Sequence, residues 1–390
     1  MTGRIAKNLA EISSTALDLA GGRYPSFVYG VGIRPGQIPV FCFHSAEPDL
    51  FEPRLAFLAE NGYATLTADE YLSVMRGEMT PPPRAVVLTF DDGWGSLWSI
   101  GYPILRKYGL KIVVFLIPGR IERRREYLPN LPDLEDGKCA PQDVFGRDSS
   151  EHPLLTWEEI AEMHESGLVD FQSHSYSHSL IARSPRIVDF VNPGMLRSCN
   201  LLELPHRARL GEPLYESAPR LSDVRQVTPP ARIREECVSV VEAHGDGFFD
   251  APDWRSKLWE VAQRHVIKAD DLHVESQVEH SSAVWTELFG SRRLIEEHLP
   301  GKEVCHICYP WHVAGRTALK TAQEVGYRAG FMGKVDGRYY NRSCSEPFHA
   351  ARIGGDFFFR LPGKGRAPMM RLLLGKLARR VRQGSPYLTH

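Results

Sequence analysis

The sequence lacks several features that would assign it to a special class of protein. Its seven cysteines are odd in number, scattered and too sparse for a disulfide framework, which favours reduced thiols. No run approaches the roughly 18 apolar residues of a membrane-spanning helix. The formal net charge is only −1, so charge gives no argument for nucleic-acid binding. The 390 residues are 43% hydrophobic, which is ample core for one large soluble domain or two smaller ones.

A secretion signal is also missing from the N-terminal residues. Arg4 and Lys7 carry positive charge, but Glu11 and Asp18 interrupt the apolar residues that follow, so no hydrophobic signal region forms. We therefore expect a cytoplasmic protein.

Two carboxylates follow a strongly predicted strand. Ala85 to Phe90 is a short apolar run rich in β-branched residues, bounded by Pro81-Pro82-Pro83 and by Gly93. Asp91 and Asp92 stand where this strand ends, which is the end that carries the chemistry in α/β sheets and barrels. Adjacent carboxylates repel each other unless a cation compensates them. A solvated Asp-Asp-Gly turn is the alternative interpretation.

A histidine pair follows a second predicted strand, Val169 to Ser173. His174 and His178 are four residues apart, so a helical turn would place both imidazoles on one face. Two histidines and a carboxylate supply the three protein ligands of a catalytic zinc-type site, with one position left for water. A single histidine is usually structural, but this pair combined with Asp-Asp favours a divalent-metal site.

The rest of the chain alternates predicted strands and helices, an order typical of parallel βαβ units. The further strands are predicted at Ile38–Phe43, Lys111–Ile117, Glu303–Tyr309, Arg328–Phe331 and Ala351–Ile353. The helices are predicted at Phe51–Asn61, Trp94–Tyr108, Glu287–Leu299 and Thr317–Val325, and capping-box patterns occur at Thr67–Glu70 and Thr156–Glu159.

Two segments depart from this alternation. Residues 184–282 carry two predicted helices, Ala231–Ala243 and Asp253–Val266, and we interpret them as a large, mainly helical insertion that caps the site. A surface elaboration remote from the substrate is the alternative. The tail, 360–390, is basic, because residues 360–383 hold eight Lys or Arg and no acid, interleaved with Met and Leu. Such a segment is attracted to anionic lipid, although a helix packed on the core or a disordered tail would have the same composition.

At this point the motifs identify a family. The stretches Thr89-Phe90-Asp91-Asp92-Gly93 and His174-Ser175-x-x-His178 resemble the first two motifs of the polysaccharide deacetylases, the NodB-type family 4 carbohydrate esterases. The resemblance runs from about Ile38 to Gly355. It implies an α/β fold, a distorted (β/α) barrel over residues 37–359 that is interrupted by the insertion and follows an N-terminal lead-in, 1–36.

The resemblance also implies roles for individual residues. Asp91 would be the general base, and Asp92, His174 and His178 would bind a divalent metal, zinc or another ion such as cobalt, nickel or manganese. The third motif matches Tyr309-Pro310-Trp311, where the Trp311 N–H would stabilise the oxyanion.

We also expect the third-motif region to contact the sugar. The predicted substrate-binding residues are Tyr309, Pro310, Trp311 and His312. Simple core packing is the alternative role of the Trp311 ring.

The sequence departs from the family pattern at two places. Cys308 stands where many members carry an arginine that holds the base, and no replacement is evident from the sequence. The Leu-x-His motif of the general acid matches only Leu388-Thr389-His390, at the very end of the chain. A subgroup resembling the poly-N-acetylglucosamine deacetylases carries this histidine on the first strand, so we predict His44 as the acid, with His312 second. A buried His44 bonded to a backbone carbonyl is the structural alternative.

The expected function is metal-dependent hydrolysis of the acetamide of an N-acetylated amino sugar in a glycan or glycolipid pathway. A cytoplasmic location would favour a biosynthetic intermediate over finished cell wall, with peripheral membrane contact through the basic tail and no nucleic-acid partner. One alternative is hydrolysis of another C–N amide, of the cyclic ureide type, on the same barrel. A second alternative, which the missing arginine allows, is a metal- or glycan-binding protein without turnover.

Overall fold

A sheet of nine strands forms the centre of the computed structural model, which describes residues 14–122, 126–196, 199–204, 208–341 and 346–383. Including two small antiparallel pairs, the strands in chain order are β1 Val40–Phe43, β2 Ala64–Thr65, β3 Ala85–Asp92, β4 Ile112–Leu116, β5 Val169–Ser173, β6 Leu180–Phe190, β7 Pro213–Pro219, β8 Val227–Thr228, β9 His273–Val274, β10 His306–Cys308, β11 Ala329–Met332, β12 Ala350–Ala351 and β13 Ile353–Gly354. The order across the main sheet is β12-β11-β10-β5-β4-β3-β1-β13, with β2 beside β3, and all of its pairings are parallel.

Helices follow most of these strands along the chain. They are α1 over residues 14–20, α2 Phe51–Glu60, α3 Ala68–Met75, α4 Tyr102–Tyr108, α5 Leu131–Glu135, α6 Pro141–Phe145, α7 Trp157–Glu165, α8 Pro193–Leu196, α9 Ala231–His244, α10 Trp254–Gln263, α11 Gln277–His298, α12 Arg316–Val325 and α13 Met369–Gln383. None of the helices in the described parts of the chain is long and apolar enough to cross a membrane.

The strand β3 lies at the centre of the sheet and is buried along its whole length. It pairs with β1 on one side and β4 on the other, so Thr89 lies between Cys42 and Val113. A parallel strand covered on both faces requires a continuous apolar run, and Ala85 to Phe90 supplies it.

The sheet nearly closes on itself at Arg352. Strands β12 and β13 stand at opposite ends of the sheet order, yet Arg352 alone separates them in the chain. Ala351 pairs with Met332 on β11, and Ile353 pairs with Phe41 on β1. The expected distorted (β/α) barrel is therefore confirmed, with a buried arginine at its seam.

Most element boundaries agree with the sequence, and both predicted capping boxes are confirmed. The Thr67 and Thr156 side chains each accept a hydrogen bond from the backbone N–H of the residue three positions later. The side chains of those residues, Glu70 and Glu159, accept hydrogen bonds from the backbone N–H of the threonines. The helix predicted to begin at Glu287 starts earlier, at Gln277, because Ser276 provides a further capping box. The strand predicted over Ala351–Ile353 breaks in two at Arg352.

The insertion contains strands as well as helices. The chain leaves the barrel along β6, which forms an antiparallel hairpin with β7 and carries both exposed and buried side chains. Helices α9 and α10 pack against this hairpin in a separate core. That core contains Phe190, Ile233, Cys237, Val241, Phe248, Trp254, Leu258, Val261 and Ala262. The hairpin was not predicted, because the charged residues of β6 hide its strand pattern.

The lead-in and the first part of the tail pack together on the barrel. Phe27 and Val28 are fully buried, Arg360 donates to the Val28 carbonyl, and Arg366 donates to the Phe27 carbonyl. The predicted tail therefore has two parts. Arg360 and Arg366 are bonded to the lead-in, and a separate helix, α13, begins at Met369.

Candidate metal centre and active site

The predicted site residues except Pro310 line one cavity of about 560 Å³ at the C-terminal ends of the barrel strands. Among its lining residues are His44, Asp91, Asp92, His174, His178, Tyr309, Trp311, His312 and Arg352. Parallel strands bring their carboxyl ends to one face, which is why residues so far apart in sequence converge here.

Asp92, His174 and His178 form a compact group whose geometry fits a cation. The Nε2 atoms of His174 and His178 lie 3.5 and 3.8 Å from Asp92 Oδ1. That oxygen is buried and has no hydrogen-bond partner among the described residues, whereas Asp92 Oδ2 accepts a bond from Trp94 Nε1 at 3.0 Å. A buried carboxylate oxygen is costly without a partner, so a divalent ion would satisfy it.

The imidazoles are prepared to act as ligands. His174 Nδ1 lies 2.8 Å from the Cys308 carbonyl oxygen, to which it must donate, so Nε2 keeps its lone pair towards Asp92. Burial lowers the pKa of His178 to about 3, so this imidazole is neutral at physiological pH. Neutral histidine is the form that binds metal.

The backbone of this group is strained. Asp92 has φ of 76° and His178 has φ of 56°, a left-handed region that residues other than glycine rarely adopt. Each such residue costs about 1–3 kcal/mol and persists only where its surroundings hold it. One restraint is the Ser175 hydroxyl oxygen, which accepts a hydrogen bond from the His178 N–H at 3.1 Å.

Asp91 is held by Arg352. The two guanidinium nitrogens Nη1 and Nη2 donate to Oδ1 and Oδ2 of Asp91 at 2.6 and 2.7 Å, and both residues are at most 2% exposed. Burial alone would raise the pKa of this carboxyl, but the charge and hydrogen bonds of Arg352 hold it well below its usual range. Asp91 is therefore ionised and fixed in direction.

A second group, Asp91, His174 and Cys308, is also close enough to hold an ion. Both Asp91 oxygens already accept bonds from Arg352. Burial raises the pKa of the Cys308 thiol well above its ordinary value, so the thiolate needed for binding is disfavoured. The Asp92 group is the better site.

Arg352 is the residue that sequence reasoning missed. It lies 261 positions from Asp91 and fills the role for which no replacement of the third-motif arginine was evident. The Cys308 thiol, which stands where that arginine is expected, packs 2.9 Å from Arg352 Nη2. A signal was present, because an arginine between the apolar pairs Ala350-Ala351 and Ile353-Gly354 contradicts a simple buried strand.

The third-motif residues contribute unequally to the cavity. The Trp311 ring lies 4.8 Å from the His178 ring, so it walls the metal group, and Trp311 and His312 both have positive φ. Tyr309 is fully buried and its ring packs against Gly330. Pro310 is buried and does not line the cavity.

The two candidates for the general acid differ in their electrostatics. Burial, with the charge of Arg352, lowers the pKa of His312 to about 3, so this side chain is neutral near pH 7. His44 follows β1, is partly exposed at the cavity, and lies close enough to Asp91 for its charge to lower that carboxyl's pKa. Leu388-Thr389-His390 lies outside the described residues.

The parallel barrel and the His-His-Asp group at its C-terminal face can be compared with known proteins. Residues 78–189 match the family model described as polysaccharide deacetylase, and they include both diagnostic motifs. The BpsB deacetylase domain from Bordetella bronchiseptica has the same fold, with a TM-score of 0.51, 18% identity, and coverage of 82% of this chain and 95% of that one. Over residues 78–189 the chain is therefore similar to the polysaccharide deacetylase family.

The curated relatives match over shorter stretches. The YxkH protein of Bacillus subtilis (strain 168) is 33% identical over 92 residues, or 22% of this chain and 33% of that protein. The poly-beta-1,6-N-acetyl-D-glucosamine N-deacetylase of Escherichia coli (strain K12) is 27% identical over 136 residues, or 35% of this chain and 18% of that protein. The chain thus spans a third or less of these relatives.

Proposed function

We propose that this protein is a metal-dependent N-deacetylase that hydrolyses the acetamide of an N-acetylated amino sugar. The observation that carries the proposal is the arrangement of Asp92, His174 and His178 around a buried, unpaired carboxylate oxygen, beside an Asp91 that Arg352 holds. Zinc suits two imidazoles and a carboxylate, and cobalt, nickel or manganese would be accommodated by the same donors.

Asp91 would act as the general base. A divalent ion at the group would polarise the amide carbonyl and lower the pKa of water towards neutrality. Arg352 keeps Asp91 ionised, which is the form that a general base needs, and the bidentate contact fixes the direction of its carboxylate. The ion pair between Arg352 and Asp91 thus orients the carboxylate of the base.

His44 would act as the general acid. The departing amine needs a proton, and an acid must carry one at the working pH. The pKa of His312 is about 3, which leaves it unprotonated at neutral pH, whereas His44 lines the same cavity from β1. The Trp311 N–H remains our candidate for the oxyanion donor, with its ring as a wall of the sugar pocket.

The substrate would be a short or terminal N-acetylated sugar. Leu202 and Glu203 of the insertion line the cavity, so the insertion narrows the space around the site. A cavity of about 560 Å³ accommodates a sugar unit and its immediate neighbour better than a long polymer groove. The names of the matched relatives point to the same acetamido-sugar chemistry.

The alternative of a binding protein without turnover was motivated by the missing third-motif arginine. Arg352 removes that motive, since it contacts Asp91 through both oxygens. No observation favours hydrolysis of a cyclic ureide. Acetate release distinguishes deacetylation from that reaction, because ureide hydrolysis releases no acetate.

We further propose that the protein works in the cytoplasm and that α13 contacts an anionic membrane surface. In this helix Met370 and Leu374 are 65% and 60% exposed on neighbouring turns. Lys376 pairs with Asp356 at 2.7 Å, and Asp356 lines the cavity, so the helix lies at the rim of the site. Lipid attraction to a basic helix would then turn the cavity towards lipid-carried sugars.

The test is acetate release from a panel of N-acetylated nucleotide sugars, lipid-linked sugars and oligosaccharides, with and without chelator. We expect one divalent ion per chain and chelator-sensitive acetate release. His174→Ala should lose both the ion and the activity, whereas the control His273→Ala, at an exposed histidine far along the insertion, should lose neither. Full metal occupancy and full turnover in His174→Ala would refute the ligand assignment, and bound metal without acetate release from any sugar would refute the activity.

A further inference from the structure

Ser177, which lies between His174 and His178 in the chain, is hydrogen-bonded by two side chains of opposite charge. The Glu287 carboxylate accepts a hydrogen bond from the Ser177 N–H at 3.0 Å and another from its hydroxyl. On the other side, Arg120 Nε donates to the Ser177 carbonyl oxygen at 3.1 Å. All three hydrogen-bonding groups of this one residue are therefore held by two side chains of opposite charge.

The same helix fixes the preceding residue as well. The backbone carbonyl of Glu287 accepts the N–H of Tyr176 at 2.9 Å, and the Tyr176 ring lies against Gly290 one turn further on. Helix α11 thus satisfies two consecutive backbone N–H groups in the middle of the ligand loop, 174–178. Such fixed bonds to a loop are unusual, because a helix normally uses its own carbonyls internally.

The loop needs external support because its conformation is strained. Ser175 and His178 have φ of 62° and 56°, and each such residue costs about 1–3 kcal/mol. A loop in such a conformation needs contacts from neighbouring elements to hold it in place. Groups that orient metal ligands in this way tune the affinity of the site.

The support also ties the ligand loop to the insertion. Arg120 Nη2 donates to the Leu204 carbonyl at 2.7 Å, in the segment that lines the cavity through Leu202. Immediately after the loop, the Ser179 carbonyl accepts the N–H of Arg220 at 3.0 Å. Glu287 itself lies on α11, which begins within the insertion and continues beyond it. The loop therefore contacts α11 through Glu287 and is linked to the inserted segment through Arg120 and Ser179.

We propose that Glu287 is a positioning residue of the metal site, which sets the direction of the His174 and His178 imidazoles by holding Ser177 against Arg120. This inference rests on the proposed metal-binding function of the site. It also gives the insertion a role in the barrel, since the helix that returns from it carries the residue that holds the ligand loop.

The test compares Glu287→Ala and Glu287→Gln with Glu297→Ala. Glu297 is a matched control because it lies on the same helix, is 50% exposed and pairs only with Arg293 at the surface in the described structure. The measurements are the dissociation constant for Zn²⁺, from competition with a chromophoric chelator, the visible absorption spectrum of the Co²⁺-loaded protein, and the Tm of the metal-free protein.

We expect Glu287→Ala to weaken Zn²⁺ binding by about 10-fold or more and to alter the Co²⁺ spectrum. Glu287→Gln is nearly isosteric and keeps one acceptor oxygen for the Ser177 N–H, so it should fold normally and show a smaller loss. Glu297→Ala should bind as the wild type does. Unchanged Zn²⁺ affinity and Co²⁺ spectrum in both Glu287 variants, while the wild type binds one ion, would overturn this inference and leave the proposed function standing. Failure of the wild type to bind any ion would overturn both.

Discussion

Replacing Arg352 by methionine tests the electrostatics of the site most directly. Arg352 and Asp91 form a bidentate, fully buried pair with N–O distances of 2.6 and 2.7 Å. Removal of one partner of a buried pair typically costs about 3–5 kcal/mol, because the other charge is left uncompensated. Arg352 also bonds Thr89 and the Met332 carbonyl across the barrel seam, so we expect the upper part of this range.

The contribution of Asp91 to the pH dependence of the free energy of unfolding should change sign. In the wild type the folded-state pKa of Asp91 is depressed, so its contribution to stability is present above the unfolded pKa of about 3.9 and is lost only as pH falls through the much lower folded value. Without the guanidinium, burial raises the folded pKa of Asp91 above its unfolded value. The loss of stability in Arg352→Met, relative to the wild type at the same pH, should therefore be smaller at pH 5 than at pH 8.

The assay is urea unfolding of the metal-free protein at pH 5, 6.5 and 8. The control Arg293→Met removes an exposed pair with Glu297 and should cost less than about 1 kcal/mol at each pH. Adding Asp91→Asn to Arg352→Met removes the uncompensated charge and should recover part of the loss. Wild-type stability in Arg352→Met, or a loss that does not depend on pH, would refute the reasoning.

Three further predictions concern the reaction and the tail. Asp91→Asn should retain the metal, measured by elemental analysis, and lose about 10²-fold or more in kcat; loss of the metal would instead make Asp91 a ligand. His44→Ala should lower kcat, because the acid is lost, whereas unchanged turnover would exclude His44. Truncation after Pro368 removes α13 but keeps Arg360 and Arg366 on the barrel, so binding to anionic vesicles should fall while turnover of a soluble sugar stays the same. Equal vesicle binding by both forms would exclude α13 as the membrane contact.

The sequence identified the motif residues because their spacing is local. Asp91 and Asp92 follow a continuous apolar strand, and His174 and His178 follow another, so their placement at strand ends needs only the strand pattern. The resemblance then assigned the barrel. What the pattern could not supply was the register that brings Asp92 Oδ1 within 3.5 Å of His174 Nε2.

The insertion was harder to predict, because its hairpin does not alternate cleanly. Strand β6 is partly exposed and carries several charges, so tertiary contact with β7 and the helices decides its conformation. The same holds for the tail, where composition indicated lipid binding, but Arg360 and Arg366 bond backbone carbonyls of the lead-in.

The sequence by itself determined most of the strands and helices of the barrel and the residue types of the Asp92, His174 and His178 group, because these depend on neighbours within a few positions. The partner of Asp91 was decided only by the tertiary structure. Arg352 reaches Asp91 because the barrel closes between β12 and β13, across 261 residues of chain. Glu287 reaches Ser177 because the chain returns from the insertion beside the ligand loop, 110 residues later. Contacts over such separations depend on how the whole chain packs, and no local pattern encodes them.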